Sequence, residues 1–298
     1  MHHTTLAVAL LAAVTMQAPP IFRSARELVV LPVTITDRSG QLVSGLPAER
    51  FSVYDNDRRQ PVVFFSNEDV PVSVALVVDD SGSMGRKLGE VLAASLHFSR
   101  SSHPEDELFL IEFNDDVRDA LGGRSLSAQD AGQLEAALRS LVPRGRTALY
   151  DGLMAGLDRL DSGALSRKIL VLISDGGDNA STVDLNAVLA RARASSVTIY
   201  TLGVFDPEDR DANPGVLQSL ASTTGGERFL PRSAGPLMQA CDQIAREIRS
   251  SYTVGFEPPE RDGHYHRVVV KVDGADRGTL TTRTRPGYVA SASAEPRR

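Results

Sequence analysis

The stretch Val74-Ala75-Leu76-Val77-Val78-Asp79-Asp80-Ser81-Gly82-Ser83-Met84 decides the reading of this chain. An unbroken apolar run ends abruptly on a carboxylate, and two hydroxyls follow at alternate positions. A run of that length predicts a strand buried on both faces, as in a parallel sheet. Gly82 and Gly85 then permit a tight loop, and Arg86 to Phe98 carries apolar residues at helical spacing. Asp79, Ser81 and Ser83 are therefore expected in the crevice beyond the carboxyl end of a central strand, where open α/β sheets bind ligands. All three offer oxygen, the donor that suits a hard cation such as Mg²⁺.

Two further segments complete the pattern. Lys168-Ile169-Leu170-Val171-Leu172-Ile173-Ser174-Asp175-Gly176-Gly177-Asp178 repeats the order of buried strand, carboxylate and glycines. Arg144-Gly145-Arg146-Thr147-Ala148-Leu149-Tyr150-Asp151 places a threonine just ahead of a helical stretch. The set Asp79, Ser81, Ser83, Thr147 and Asp175 resembles the metal-ion-dependent adhesion site (MIDAS) of von Willebrand factor type A (vWA) domains. That pattern is Asp-x-Ser-x-Ser, then a distant threonine, then a distant aspartate. The resemblance implies a metal site in which the hydroxyls of Ser81, Ser83 and Thr147 touch a divalent ion directly, while the two aspartates act partly through water. It implies Mg²⁺ as the cofactor, with Ca²⁺ or Mn²⁺ as alternatives, and an open coordination position that takes a Glu or Asp side chain of a partner protein. Elementary electrostatics agrees that the bare site is costly. Two carboxylates ~4 Å apart repel by roughly 4 kcal/mol at an effective dielectric of about 20. A divalent cation, or a protonated carboxylate with a raised pKa, removes that repulsion.

Composition bounds the alternatives. The chain has 298 residues, 42% of them hydrophobic, enough for one large domain or two modest ones with a sizeable core. Its formal net charge of -6 argues against a nucleic-acid partner, which would need a basic face. Leu6 to Val14 reads as the apolar core of an export signal cut after Ala18, so residues 1–18 are expected to be a signal peptide and the protein to be exported. That apolar stretch is too short for a stable membrane span, which needs ~20 residues. Cys241 is the only cysteine, which rules out an intrachain disulfide. It falls in an amphipathic pattern where a small core hydrophobe is the default reading.

Along the chain, residues 26–68 form a β-rich segment in which Val29, Leu31, Val33 and Ile35 alternate with other residues. Asp55-Asn56-Asp57 reads as a turn. From 72 to 250 strands and helices alternate, which predicts an α/β fold: a doubly wound, mainly parallel central sheet with helices on both faces. Within it Ser127, followed by Asp130, is read as a helix N-cap. Residues 251–289 turn back to β, and 290–298 read as a disordered tail. Neither β segment makes a convincing core alone. The simplest expectation is one small β-sandwich built from both ends, with the α/β domain inserted between its halves. The flanks Val33–Tyr54 and Ser251–Tyr288 also resemble a group of exported bacterial vWA-related proteins.

The function implied is metal-bridged recognition of an acidic side chain on a protein, without enzymatic activity. A structural or assembly scaffold with a non-essential metal site is the alternative. A Mg²⁺-dependent phosphohydrolase with Asp79 as nucleophile is disfavoured, because Ser81 stands where such enzymes place a second aspartate. No phosphate-binding glycine loop is present either. His264 and His266 share one strand face but lack a third zinc ligand at suitable spacing.

Overall fold

The computed structural model describes residues 28–127, 130–205, 211–274 and 278–292. The expected signal peptide at 1–18 and the tail residues 293–298 lie outside them. The chain opens with β1 (Val29–Thr36), β2 (Phe51–Asp55), β3 (Arg58–Gln60) and β4 (Phe64–Ser66). The α/β layer follows as β5 (Ser73–Asp79), α1 (Leu88–Ser101), β6 (Glu107–Phe113), β7 (Val117–Asp119), β8 (Leu126–Ser127), α2 (Ala131–Arg139) and α3 (Leu149–Asp161). It continues through β9 (Lys168–Ser174), α4 (Leu185–Ala194), β10 (Thr198–Gly203), α5 (Pro214–Thr224), β11 (Arg228–Phe229) and α6 (Ala234–Ser250). The chain closes with β12 (Tyr252–Phe256), β13 (Tyr265–Val272), β14 (Thr281–Arg283) and β15 (Gly287–Val289).

The central sheet runs β11-β10-β9-β5-β6-β7, with β8 also pairing β6. The pairs from β11 to β6 are parallel; β7 and β8 run antiparallel to β6. All seven residues of β5 are buried. Its pleat divides them between two cores. Val74, Leu76 and Val78 pack with Val91 and Phe98 of α1, Leu134 of α2, and Cys241 and Ile244 of α6. Ala75 and Val77 pack with Leu149, Leu153 and Leu157 of α3, Val188 of α4 and Leu217 of α5. Helix ends carry their own stop signals. Asp184 accepts from the Ala187 N–H at the start of α4, and Asn213 with Pro214 opens α5, which Gly225 closes in the left-handed conformation. One expected cap is different: Ser127 lies in β8, and its N–H and hydroxyl both donate to Asp130, each at 2.9 Å.

The two ends of the chain build one β-sandwich. One sheet runs β14-β1-β12-β4 and the other β15-β13-β2-β3, so each mixes strands from before and after the α/β layer. Leu31, Val33, Phe51, Val53, Tyr252, Val254, Phe256, Val268 and Val270 fill the space between them. The α/β layer is inserted between β4 and β12, which are antiparallel neighbours with Phe65 opposite Val254. Asp55-Asn56-Asp57 is the turn expected, with φ of 45° at Asn56 and 66° at Asp57. Ala290 corrects the assignment of a disordered tail: it is 1% exposed, and its N–H donates to the His264 carbonyl at 2.9 Å.

Two arginines of the sandwich, Arg285 buried and Arg283 half-buried, reach the helix ends of the α/β layer. Arg285 donates to the carbonyls of Arg193 and Ser195, both at 2.7 Å, just past the end of α4. Arg283 donates to the Gly225 carbonyl at the end of α5 at 2.8 Å and pairs with Glu247 of α6. Within the α/β layer, half-buried Arg167 donates to the Ile248 carbonyl near the end of α6 at 2.9 Å and to the hydroxyl of Ser251, which links α6 to β12, at 2.6 Å. Helix C-termini leave carbonyls unpaired and carry partial negative charge, so a guanidinium answers both needs. The sandwich thereby adjoins the edge of the sheet where the parallel strands begin.

Inside the sandwich, His266 of β13 is 2% exposed and lies between two carboxylates. Its Nδ1 is 2.8 Å from Asp55 Oδ1, and its Nε2 is 3.3 Å from Asp262 Oδ1. Tyr288 donates to the second Asp55 oxygen at 2.7 Å. Burial disfavours the imidazolium, but hydrogen bonds and charge from Asp55 and Asp262 outweigh it and raise the His266 pKa. A raised folded pKa means stability present below the ordinary value of 6.5 and lost as pH climbs through the folded value. The urea midpoint of the wild type is therefore expected to fall from about pH 6 to about pH 9 by more than that of His266→Asn. Equal slopes would remove His266 from the account. Arg285→Ala strands the carbonyls of Arg193, Ser195 and Gly287 and should cost about 3 kcal/mol in urea unfolding. Arg58→Ala, which breaks an exposed pair with Glu260, should cost less than about 1 kcal/mol.

Candidate functional site

The site forms where β5 and β9 end side by side. Asp79 is the last residue of β5 and fully buried. Its Oδ1 accepts the Ser81 N–H at 3.0 Å and its Oδ2 accepts the Ser174 hydroxyl at 2.7 Å. Ser174 is the last residue of β9, so its hydroxyl ties the two strand ends together. After Ser81 the chain makes a 3-10 turn over Gly82–Arg86 that brings the next hydroxyl back towards the first. Ser81 Oγ is 3.1 Å from Ser83 Oγ, and Ser83 Oγ donates to Asp175 Oδ2 at 3.0 Å. Asp175 Oδ1 is held by the Gly177 N–H at 2.9 Å. Four of the five expected residues thus form one hydrogen-bonded chain, Asp79–Ser81–Ser83–Asp175.

Thr147 arrives by a different route. Its loop is laced to the first one through backbone: Gly82 N–H donates to the Gly145 carbonyl at 3.2 Å, and Arg144 N–H to the Asp80 carbonyl at 3.1 Å. On its other side Thr147 N–H donates to Asn179 Oδ1 at 2.9 Å, and the Thr147 carbonyl accepts from Asn179 and Ala180 at 3.0 and 3.1 Å. Thr147 is buried just ahead of α3, between the loops that follow β5 and β9. Gly176 makes the β9 loop possible: its φ is +82°, and a Cβ there would fall 2.4 Å from the Asn213 carbonyl oxygen.

Asn114, Ser174 and Glu112 escaped the sequence reading, and so did the burial of Asp80. Asp80 is fully buried, and Asn114 donates to both of its oxygens at 3.1 Å. Ser174 bridges Asp79 to the Gly176 N–H, from which it accepts at 3.0 Å. Glu112 sits below Asp80 and pairs with Arg118 at 2.9 Å. Asn114 and Ser174 are common residue types with no pattern around them, and only adjacent strand ends disclose their roles.

The electrostatics are those of crowded, dry carboxylates. Burial, reinforced by the charge of Asp175, pushes the Asp79 pKa up to about 7 despite its hydrogen bonds. Burial also raises Asp80 and Glu112, against which Asn114, Arg118 and Arg144 work. Excess negative charge thus meets the hydroxyls of Ser81 and Ser83, with Thr147 on the adjoining loop. The donor set is all oxygen, and burial supplies the shortage of solvent that makes a counter-charge favourable, so these residues fit a hard divalent cation. Elsewhere among the described residues, Glu260, Asp262 and His266 place possible ligand atoms within 4.8 Å of one another. There both imidazole nitrogens already face carboxylates, and Glu260 faces Arg58.

Residues 73–238 match the von Willebrand factor type A domain. No match is found among curated protein sequences. Among solved structures, a von Willebrand factor type A protein from Catenulispora acidiphila superposes with a TM-score of 0.54 at 17% identity, over 91% of this chain and 76% of that one. The vWF domain of the type V pili tip protein Mfa5 from Porphyromonas gingivalis gives 0.50 at 18% identity, over 60% and 95%. The pilus adhesin SpaC from Lactobacillus rhamnosus GG, in its open conformation, gives 0.51 at 12% identity, over 86% and 49%. At these identities the likeness is one of fold. With more than half of its length matched, the chain belongs to the von Willebrand factor type A domain family.

Proposed function

We propose that this chain is an exported binding protein whose α/β domain, spanning residues 72–250, holds Mg²⁺ at a MIDAS and takes up a Glu or Asp side chain of a partner protein. Ca²⁺ or Mn²⁺ would satisfy the same oxygen donors. The observation that carries the reading is the hydrogen-bonded chain Asp79–Ser81–Ser83–Asp175, to which the Thr147 loop is tied by the Gly82–Gly145 backbone bond. Ser81, Ser83 and Thr147 supply neutral oxygens. Asp79 and Asp175 supply charge, and the Ser81 N–H and Ser174 hydroxyl orient the Asp79 carboxylate. A bound divalent cation supplies an electrophilic position that an incoming carboxylate completes. With few charged donors around it, a bound ion would stay electron-poor and favour an anionic partner.

A binding or assembly role is supported over catalysis by the site itself. Asp79 is fully buried and its two oxygens are engaged, so it offers no nucleophile to a phosphate ester. The shared fold of a pilus adhesin and a pilus tip protein points the same way. Among the described residues no helix is long and apolar enough to cross a membrane. The segments 26–68 and 251–289 would serve as the base on which the binding domain stands.

Mg²⁺ at ~100 times its dissociation constant should stabilise the protein by about 2.7 kcal/mol, a rise in Tm of roughly 5 °C or more over the chelated sample. Asp79→Ala should abolish that rise. A wild-type Tm that ignores every divalent cation would sink the metal reading and leave the scaffold. A second expectation follows from the buried charge. The Asp79 pKa lies above the ordinary 3.8, so its ionisation destabilises the metal-free fold as pH rises from about 4 to about 7. In chelator at about pH 8, Asp79→Asn should therefore melt above wild type, with the advantage gone below about pH 4. Equal melting temperatures at both pH values would contradict the electrostatic account.

A further inference from the structure

A groove of about 770 Å³ lies where the sandwich meets the strand-start edge of the α/β layer. Small-molecule sites span roughly 300–1,000 Å³, so its size suits one. One wall is the outer face of the sheet β14-β1-β12-β4. Register sets Val30, Gly255 and Phe64 in a row across β1, β12 and β4, with Pro32, Thr253 and Ser66 in the next row on the same face. Gly255 leaves the middle of the first row bare. A Cβ there would fall 2.9 Å from Phe64 Cβ and 3.0 Å from Leu28 Cδ2. Leu28, Val30, Phe64 and Val289 line the groove, and they are four of the eight large hydrophobic side chains left exposed among the described residues. Exposed apolar side chains are ordinary when scattered, but gathered on one wall they mark a surface that takes an apolar ligand.

The facing wall is basic. Arg167, Lys168, Arg193 and Arg285 line it, against Glu68 as the one acidic lining residue. Lys168 is partnered by Asp161 at 4.0 Å. No carboxylate among the described residues pairs with the three guanidiniums. Arg285 donates to the carbonyls of Gly287, Ser195 and Arg193, and Arg167 to the Ile248 carbonyl and the Ser251 hydroxyl. Arg167 Nη1 is buried with no hydrogen-bond partner at all. Asp69 and Asp106 act on Arg167 only from longer range, and both are paired with Arg249. Burial holds the Arg167 and Arg285 pKa below the usual arginine value, as expected of charge without a close counter-ion. Arg193 stands exposed beside them. Charges out of water are ordinarily paired, so this wall is short of an anion.

A ligand that answers both walls carries one negative head on an apolar body. The floor disfavours a peptide. Strand β12 is paired on both sides, with β1 and with β4, so a peptide laid across this face would bury amide groups that find no partner. A hydrocarbon chain has no such groups to satisfy. We propose that the groove binds a single-chain fatty acid, with the tail along Leu28, Val30 and Phe64 and the carboxylate against Arg167 and Arg193. The planar guanidinium fork suits a carboxylate head. This site lies at the opposite edge of the sheet from Asp79 and needs no metal.

Fluorescence of cis-parinarate, itself a long-chain carboxylate, tests this on the full chain in chelator, where no metal can hold a carboxylate at Asp79. The probe should brighten on the wild type and be displaced by laurate, with dodecanol weaker by at least about five-fold. Octanoate, with its shorter tail, should trail laurate by at least about ten-fold. Both substitutions that dissect the walls fall on exposed side chains, so the fold should tolerate them. Arg193→Gln should weaken laurate by about five-fold and leave dodecanol unchanged, whereas Phe64→Ser should weaken both. A probe that stays dark on the wild type would overturn the proposal, as would equal displacement by laurate and dodecanol. Laurate affinity that ignores both substitutions would place the binding elsewhere and overturn it too. Displacement by acetyl-Leu-Val-Phe as tight as that by laurate would give the groove to a peptide terminus instead of a fatty acid. The metal-bridged reading stands or falls separately.

Discussion

Burial of β5 on both faces is the constraint from which the rest of the molecule follows. Every side chain from Ser73 to Asp79 is out of solvent, so the strand can place polar chemistry only at its two ends. At the leading end the Ser73 hydroxyl donates to Glu107 at 2.6 Å and accepts the Leu165 N–H, close to where the sandwich is attached. At the trailing end Asp79 meets Ser174 of the neighbouring strand. A charge at the tip of a dry strand must be answered by hydrogen bonds, by a proton or by a counter-ion. The loops around Asp79 are organised to offer the first, and the raised pKa shows that hydrogen bonds alone do not suffice.

That division of labour explains the architecture of the whole chain. The parallel sheet is covered by α1, α2 and α6 on one face and by α3, α4 and α5 on the other, which leaves its two strand-end edges for function. One edge holds the acidic site. The other is occupied by a sandwich that draws its strands from both ends of the chain and is fastened by Arg283 and Arg285 to the carbonyl ends of α5 and α4. The attachment is polar and directional, so it holds the sandwich in one orientation relative to the sheet in a way that apolar contact alone would not. Helix α6 takes part in both worlds. Its apolar face lies against α1, where His97 also meets Asp242 at 2.7 Å, while its last turn feeds directly into β12.

The ease of reading differed from residue to residue for physical reasons. Val74 to Val78 and Ile169 to Ile173 were legible because strands buried on both faces have no polar positions to break the run. Asp79, Ser81, Ser83 and Asp175 were legible because they sit at fixed offsets from such strands, and the hydrogen-bonded chain that links them follows from those offsets. Thr147 was legible through family resemblance, since its loop is placed by backbone bonds to Gly82 and Asn179 that no local pattern announces. Asp55 was read as part of a turn, which it is, but its carboxylate lies against His266, 211 positions away. His266 was judged by its strand face alone, and Ala290 by its nearness to a polar terminus.

The sequence by itself determined the α/β layer, the two cores of its sheet and the place where oxygen ligands gather. These depend on apolar periodicity and on residues near one another in the chain, and both survive in one dimension. Only the tertiary structure decided how β1 pairs with β12 and β14, which carbonyls Arg285 reaches, how Asn114 clamps Asp80, and that Asp115 rests on Gly145. Each of those joins residues tens to hundreds of positions apart in the chain. A contact of that kind is set by the geometry of the folded chain, so it leaves no periodic trace in the order of the amino acids.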